Sequence, residues 1–342
     1  MREVRWSAVG AAVILSFSHS LVHAQSEDSG DRARDVGVVT GERSVLSSRG
    51  SFVVEPSLQY THAGSTQVDI QGFTVIPAIA IGLINVSQVQ RDTFTSALTL
   101  RYGLTQRLEV EARIPYIYRE ETIREREILA DTSYPGVERS TGYGLGDIEA
   151  GIRYQINTGA EGPLFVGGVR IKSDTGRGPF DVDTQELLTD EGDSIGEAFL
   201  EQPTGSGFWS VQPSLSMIYP TQPAVLYGHV SYLWSIERDV GGEYGLVDPG
   251  DAISFGLGMG LAVNDRTSFS LGYDHSVVGR TRLKDRSQSE IQPNFRRVQV
   301  GTASLGISQR LGARTTANIG LGFGVTEAAP DVQISLRLPF RF

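Results

Sequence analysis

The chain contains no cysteine, and only three methionines and three tryptophans among 342 residues. Without thiols there is neither a disulfide framework nor a cysteine-ligated metal centre, and an oxidising compartment poses no hazard. Long hydrophobic runs are also lacking. After the N-terminal stretch the longest is FTVIPAIAIGLINV, Phe73 to Val86, and Pro77 interrupts it. A helix needs about 20 apolar residues to cross a bilayer, so no helical span is available there. Basic charge is short as well: 30 lysines and arginines stand against 40 acids, a net charge of -10. Such a balance argues against nucleic acid as a partner. Mean hydropathy is -0.13, too polar for a bundle of membrane helices.

What is present begins with an export signal. Arg2 and Arg5 precede an apolar run from Ala8 to Leu15, and Val22-His23-Ala24 supplies the small-residue ending. This order reads as a secretory signal over residues 1–24, cleaved after Ala24. Residues 25–49 are polar, charged and without useful period, and read as a flexible periplasmic segment. An exported chain with no helical span crosses a membrane, if at all, as strands.

From Gly50 onward the chain alternates. In GLGDIEAGIRYQI, Asp147, Glu149, Arg153 and Gln155 share one parity, and Ile148, Ala150, Ile152, Tyr154 and Ile156 the other. On a strand these are opposite faces. The same pattern recurs in LEVEARIPYIY from Leu108 and in VQISLRLPFRF from Val332. Segments of roughly ten alternating residues, aromatic near their ends and joined by turn residues, are the signature of an all-β transmembrane antiparallel barrel.

Twelve strands are expected, near 50–61, 92–104, 107–119, 143–157, 163–173, 207–220, 223–237, 251–264, 267–279, 295–310, 314–326 and 331–342. A fourteen-strand alternative arises if Phe73 to Val86 forms a hairpin of its own. Short turns fall on the periplasmic side with both termini, and long loops outside. Val298 and Val300 share a parity that Ala303, Leu305 and Ile307 do not, which predicts a bulge near Gly301.

Tyr102-Gly103-Leu104-Thr105-Gln106-Arg107-Leu108-Glu109-Val110, then Ala112-Arg113-Ile114-Pro115-Tyr116 and Gly144-Leu145-Gly146-Asp147, resemble the outer-membrane family named for the meta pathway of phenol degradation, often described as transporters. These are turn and strand motifs, and they support the barrel more than any substrate. The resemblance implies a Gram-negative outer membrane, with aromatic or apolar solutes as cargo. Phe342, on one face with Phe340 and Leu338, resembles the C-terminal signal read by the barrel assembly machinery.

Candidate chemistry is sparse. His62, His229 and His275 are scattered without metal-ligand spacing. Asp274 and His275 are adjacent on a strand, so they point to opposite faces and make a poor acid-base dyad. No third group at triad spacing recommends Ser231 or Ser276 as a nucleophile. The acidic loop 174–206 reads as solvated, with carboxylate binding of a cation as its alternative.

The informative set is the charged face: Arg101, Glu109, Glu111, Arg113, Asp147, Glu149, Arg153, Arg170, Lys172 and Arg337. These residues should line the interior, either as a conduit whose charges tune passage or as cross-strand pairs that plug it. Twelve strands exceed the eight that side chains fill, which favours a narrow channel. The reading is a monomeric outer-membrane channel for small solutes, without cofactor. Its partners would be the lipid bilayer, lipopolysaccharide, the assembly machinery and the solute. A closed structural or surface-interaction barrel is the alternative. An outer-membrane hydrolase is a third, and it requires a Ser or Asp within reach of a histidine.

Overall fold

A computed structural model of the chain describes residues 46–64, 70–71, 74–75, 88–124, 137–158, 162–188, 194–221, 223–241, 245–284, 290–291 and 297–342. The expected signal, residues 1–24, lies outside the described residues, as does most of Phe73 to Val86.

The alternating segments form twelve antiparallel strands closed into a barrel. They are β1 Phe52–Gly64, β2 Gln88–Gly103, β3 Leu108–Arg124, β4 Val137–Leu145 with Glu149–Gln155, β5 Leu164–Lys172 and β6 Ser210–Pro220. The second half comprises β7 Ala224–Ser235, β8 Ala252–Ala262, β9 Thr267–Val278, β10 Val298–Arg310, β11 Thr316–Gly324 and β12 Val332–Arg337 with Phe340–Arg341. Each pairs with the next, and β12 returns to β1 through Ser57↔Arg337 and Val53↔Arg341. No edge is left in the wall, so every strand finds its hydrogen bonds within the protein. β1 and β2 pair directly from Phe52↔Tyr102 to Gly64↔Gln90. The short hairpin Ile70–Gln71/Thr74–Val75 pairs with itself, so the wall has twelve strands and not fourteen.

The sequence's two faces become the two surfaces of the wall. Leu58, Ile152 and Leu257 are more than half exposed on the outside, whereas the most buried side chains include Glu109, Thr61 and Asn318. A water-soluble fold does the reverse. An outer surface this apolar is far larger than the patches soluble monomers leave exposed, and it requires lipid. Near the loop end, outward rings adjoin across strands, with Tyr60 and Phe94 centroids 4.8 Å apart and Phe94 and Tyr118 6.3 Å apart.

One expectation needs correction. The pairing of β9 with β10 runs from Thr267↔Gln309 to Val278↔Val298 without a shift, so there is no bulge at Gly301. Val298 and Val300 instead lie on the inner face, where Val298 packs on Leu233, Ala252 and Val278. The irregularity lies in β4: Tyr116↔Leu145 is followed by Arg113↔Glu149, three residues opposing two. This bulge re-aims the chain at Asp147. Of the lead-in, residues 46–49 are described, and there Leu46 is buried and Ser47 donates its amide to Glu109 Oε2 at 2.7 Å.

Within the lumen, Tyr227 of β7 reaches across β8 and donates its hydroxyl to the Leu271 carbonyl at 2.8 Å. Its ring needs the bare backbone of Gly258, where a Cβ would stand 2.1 Å from the Tyr227 Oη. An aromatic covering a strand glycine pins register in curved sheets.

Candidate functional site

The inner face encloses a cavity of about 380 Å³. Its walls differ. β1, β3, β4, β5 and β12 contribute Glu55, Glu111, Arg113, Glu149, Arg153, Arg170 and Arg337. β6 to β10 contribute Ser214, Ser216, Ser231, Ser254, Ser276 and Ser304, with His229 and Asp274 among them. The serines satisfy one another in part, as where Ser254 and Ser276 hydroxyls meet at 2.7 Å.

On the charged wall opposite charges interleave across strands. Arg153 Nη1 donates to Glu109 Oε1 at 2.8 Å and Arg113 Nη1 to Glu149 Oε1 at 2.7 Å. Arg170 bridges Glu111 at 3.4 Å and Glu149 at 3.7 Å. Arg101 bonds Glu55, and Lys172 donates to Asp147 at 3.0 Å. Arg337 stands opposite Ser57 in the register that closes the barrel. Of the ten residues singled out above, six line the cavity, Arg101, Glu109, Asp147 and Lys172 are buried, and nine are joined in these ion pairs. Such charge-assisted bonds in a wall screened from bulk water are stronger than surface pairs.

Glu55 escaped the sequence reading, although its parity matches Ser57 and Gln59 and opposes Leu58 and Tyr60. Arg91 and Glu121 were missed as well: they form another cross-strand pair, with Arg91 Nε 2.7 Å from Glu121 Oε2. β3 and β2 run further outward than the alternation suggested, which puts this pair above the expected strand ends.

The acidic loop is not simply solvated. Residues 202–208 are all buried, and with residues 173–181 they pack against the β4 bulge at Gly146 and Asp147. Asp147 anchors them, accepting from the Ser206 amide at 2.8 Å, the Ser206 hydroxyl at 2.7 Å and the Gly176 amide at 3.1 Å. Arg119 Nη1 donates to the Pro203 carbonyl at 2.8 Å, and Gln202 Nε2 to Ser140 at 2.8 Å and to Glu121 at 3.2 Å. Gly176 and Gly205 allow the two segments to touch, since a Cβ on Gly205 would be 2.7 Å from the Gly176 Cα. At the opposite end Ser47 donates its amide to Glu109 Oε2 at 2.7 Å.

The histidines occupy different surroundings. His229 and Asp274 both point inward and meet at 3.7 Å across the intervening strand. His275 points outward, its Nδ1 3.0 Å from the Tyr273 hydroxyl. His62 also lies on the outer face, with its Nδ1 2.8 Å from Asp92 Oδ1, which accepts the Tyr60 hydroxyl at 2.7 Å. Two carboxylates thus come within reach of histidines, as a hydrolase would require. Among the described residues, however, no serine or threonine hydroxyl bonds His62 or Asp92.

No family model matches the chain. Among solved structures it is similar to an outer membrane channel from Pseudomonas putida F1, with a TM-score of 0.58 and 13% identity over 87% of this chain and 98% of that one. The translocator domain of the autotransporter NalP from Neisseria meningitidis gives a TM-score of 0.46 at 10% identity, covering 92% and 95%. A mutant of the TodX monoaromatic hydrocarbon channel gives 0.40 at 8%, covering 86% and 90%. The first likeness establishes shared fold, and the weaker two add nothing to it. Together with the apolar exterior and closed wall, it makes the chain an outer-membrane β-barrel.

Proposed function

We propose that the barrel is a channel for passive passage of small solutes across the outer membrane, and not an enzyme. The observation that carries this reading is the polar cavity between the charged and serine walls. A lumen built only for rigidity would fill with side chains, whereas here glycine and serine keep one wall thin. The ten charged residues would then set selectivity, and Phe340 and Phe342 would serve recognition by the assembly machinery. Lipopolysaccharide would surround the loop end, residues 1–24 would direct export, and the chain would act as a monomer. The resemblance to the phenol-degradation family supports transport and suggests aromatic compounds as the class of cargo.

One observation favours the closed barrel: residues 202–208 are buried and bonded to Arg119, Ser140 and Asp147 of the wall. The two readings separate in planar bilayers. Discrete conductance steps from purified, folded protein support the channel. Folded protein that never conducts supports a structural or surface-interaction barrel.

A further inference from the structure

We propose that the lumen cavity binds small organic carboxylates and that passage favours anions, although the chain as a whole is acidic. This rests on the channel reading above and names its solute class. The argument is how deep each partner of the ion pairs sits. The Glu149 side chain is 3% exposed against 20% for Arg113, and that of Glu111 is 6% against 30% for Arg170. Glu109 is fully covered beneath Arg153. The short carboxylates lie at the floor of the wall, and the longer guanidinium groups rise over them.

On this wall a solute therefore meets cationic edges before it meets acids. A guanidinium carries five N–H donors in a planar fork. Arg113, Arg153, Arg170 and Arg337 bring four such forks to one cavity. That geometry suits a planar carboxylate, which arginine grips in bidentate fashion.

The opposite wall refines the class. Its serines offer neutral hydrogen bonds to hydroxyl or carbonyl groups of the solute. Asp274, 46% exposed and 3.7 Å from His229 Nε2, is the acid that reaches furthest into the solute's path. It opposes anions, and with Glu55, Glu111 and Glu149 it matches the four arginines in number, so the preference rests on the depth of the charges and not on their sum. An unsubstituted hydrocarbon would strip water from these charged and hydroxyl groups without replacing any hydrogen bond, which is unfavourable. An aromatic cargo would therefore have to carry its own carboxylate.

Benzoate is a suitable probe, tested in two ways on full-length refolded protein. In planar bilayers under a potassium chloride gradient, the reversal potential should show a several-fold preference for chloride, and benzoate should interrupt the current in a dose-dependent manner. Calorimetry in detergent, which does not depend on conduction, should detect benzoate binding that weakens with salt. The double variant Arg113→Lys, Arg170→Lys keeps the charge and protects the buried acids but removes the forks. It should fold, as heat-modifiable migration reports, and lose benzoate binding by an order of magnitude. Asp274→Asn should strengthen both binding and chloride preference. Cation preference in the wild type, or conduction with no response to benzoate in either measurement, overturns the proposal. Salt-dependent benzoate binding without any conductance would uphold the site and overturn the channel reading instead.

Discussion

Phe342 and Phe52 exchange both backbone hydrogen bonds, the Phe342 amide donating to the Phe52 carbonyl at 2.8 Å and the Phe52 amide to the Phe342 carbonyl at 3.2 Å. The last residue of the chain is thus a rung of the seam that closes the barrel. Deleting Phe342 should remove that rung and an outward aromatic ring together. The expected outcome is a lower yield of folded protein in the outer membrane, read by heat-modifiable migration. Unchanged yield and migration would show that the seam closes without it.

Leu215 and Ser216 are neighbours on β6 with opposite surroundings, lipid and cavity. Leu215→Arg should lower stability by about 2–4 kcal/mol if the site lies at the bilayer midplane, and less toward either interface. Ser216→Arg should leave stability nearly intact and alter conductance. Urea titration of refolded protein in lipid separates the two. The charged wall makes a worse comparison than its sequence suggests. Arg153→Ile would strip the buried Glu109 of its guanidinium, and breaking such a pair costs about 3–5 kcal/mol.

Asp147→Ala should free the loop segments around Gly176 and Ser206 that it anchors. It removes the acceptor of two backbone amides, the Ser206 hydroxyl and Lys172. It also leaves a buried lysine without its carboxylate, at a cost of about 3–5 kcal/mol. Limited proteolysis should cut between residues 173 and 208 faster than in the wild type, and conductance should rise. Equal protease resistance would mean that the other contacts hold the insert unaided.

Tyr227 and Gly258 test the interior of the wall. Gly258→Val would drive side-chain atoms into the Tyr227 ring and toward the Leu271 carbonyl. The expected loss is about 1–3 kcal/mol or more, the usual range for overpacking. Tyr227→Phe keeps the ring and loses only the bond to Leu271, for about 0.5–1.5 kcal/mol. Urea midpoints should therefore rank wild type above Tyr227→Phe and that variant above Gly258→Val.

The sequence by itself determined the barrel and its strand count. The reason is geometric: side chains alternate at a period of two, so a charge at Glu149 between Ile148 and Ala150 can have only one face. Alternation is silent where both faces tolerate the same residue. Val298 and Val300 look like lipid-facing valines, yet Val298 packs inward against Leu233, Ala252 and Val278 and Val300 lines the cavity, so the pattern predicted a bulge that does not exist. Only the tertiary structure decided where the acidic loop goes. Gln202 reaches Glu121, 81 residues away, and no local pattern encodes such a meeting. A polar lumen and bulk water select the same side chains, so a segment that fills the barrel and one that is solvated have the same composition.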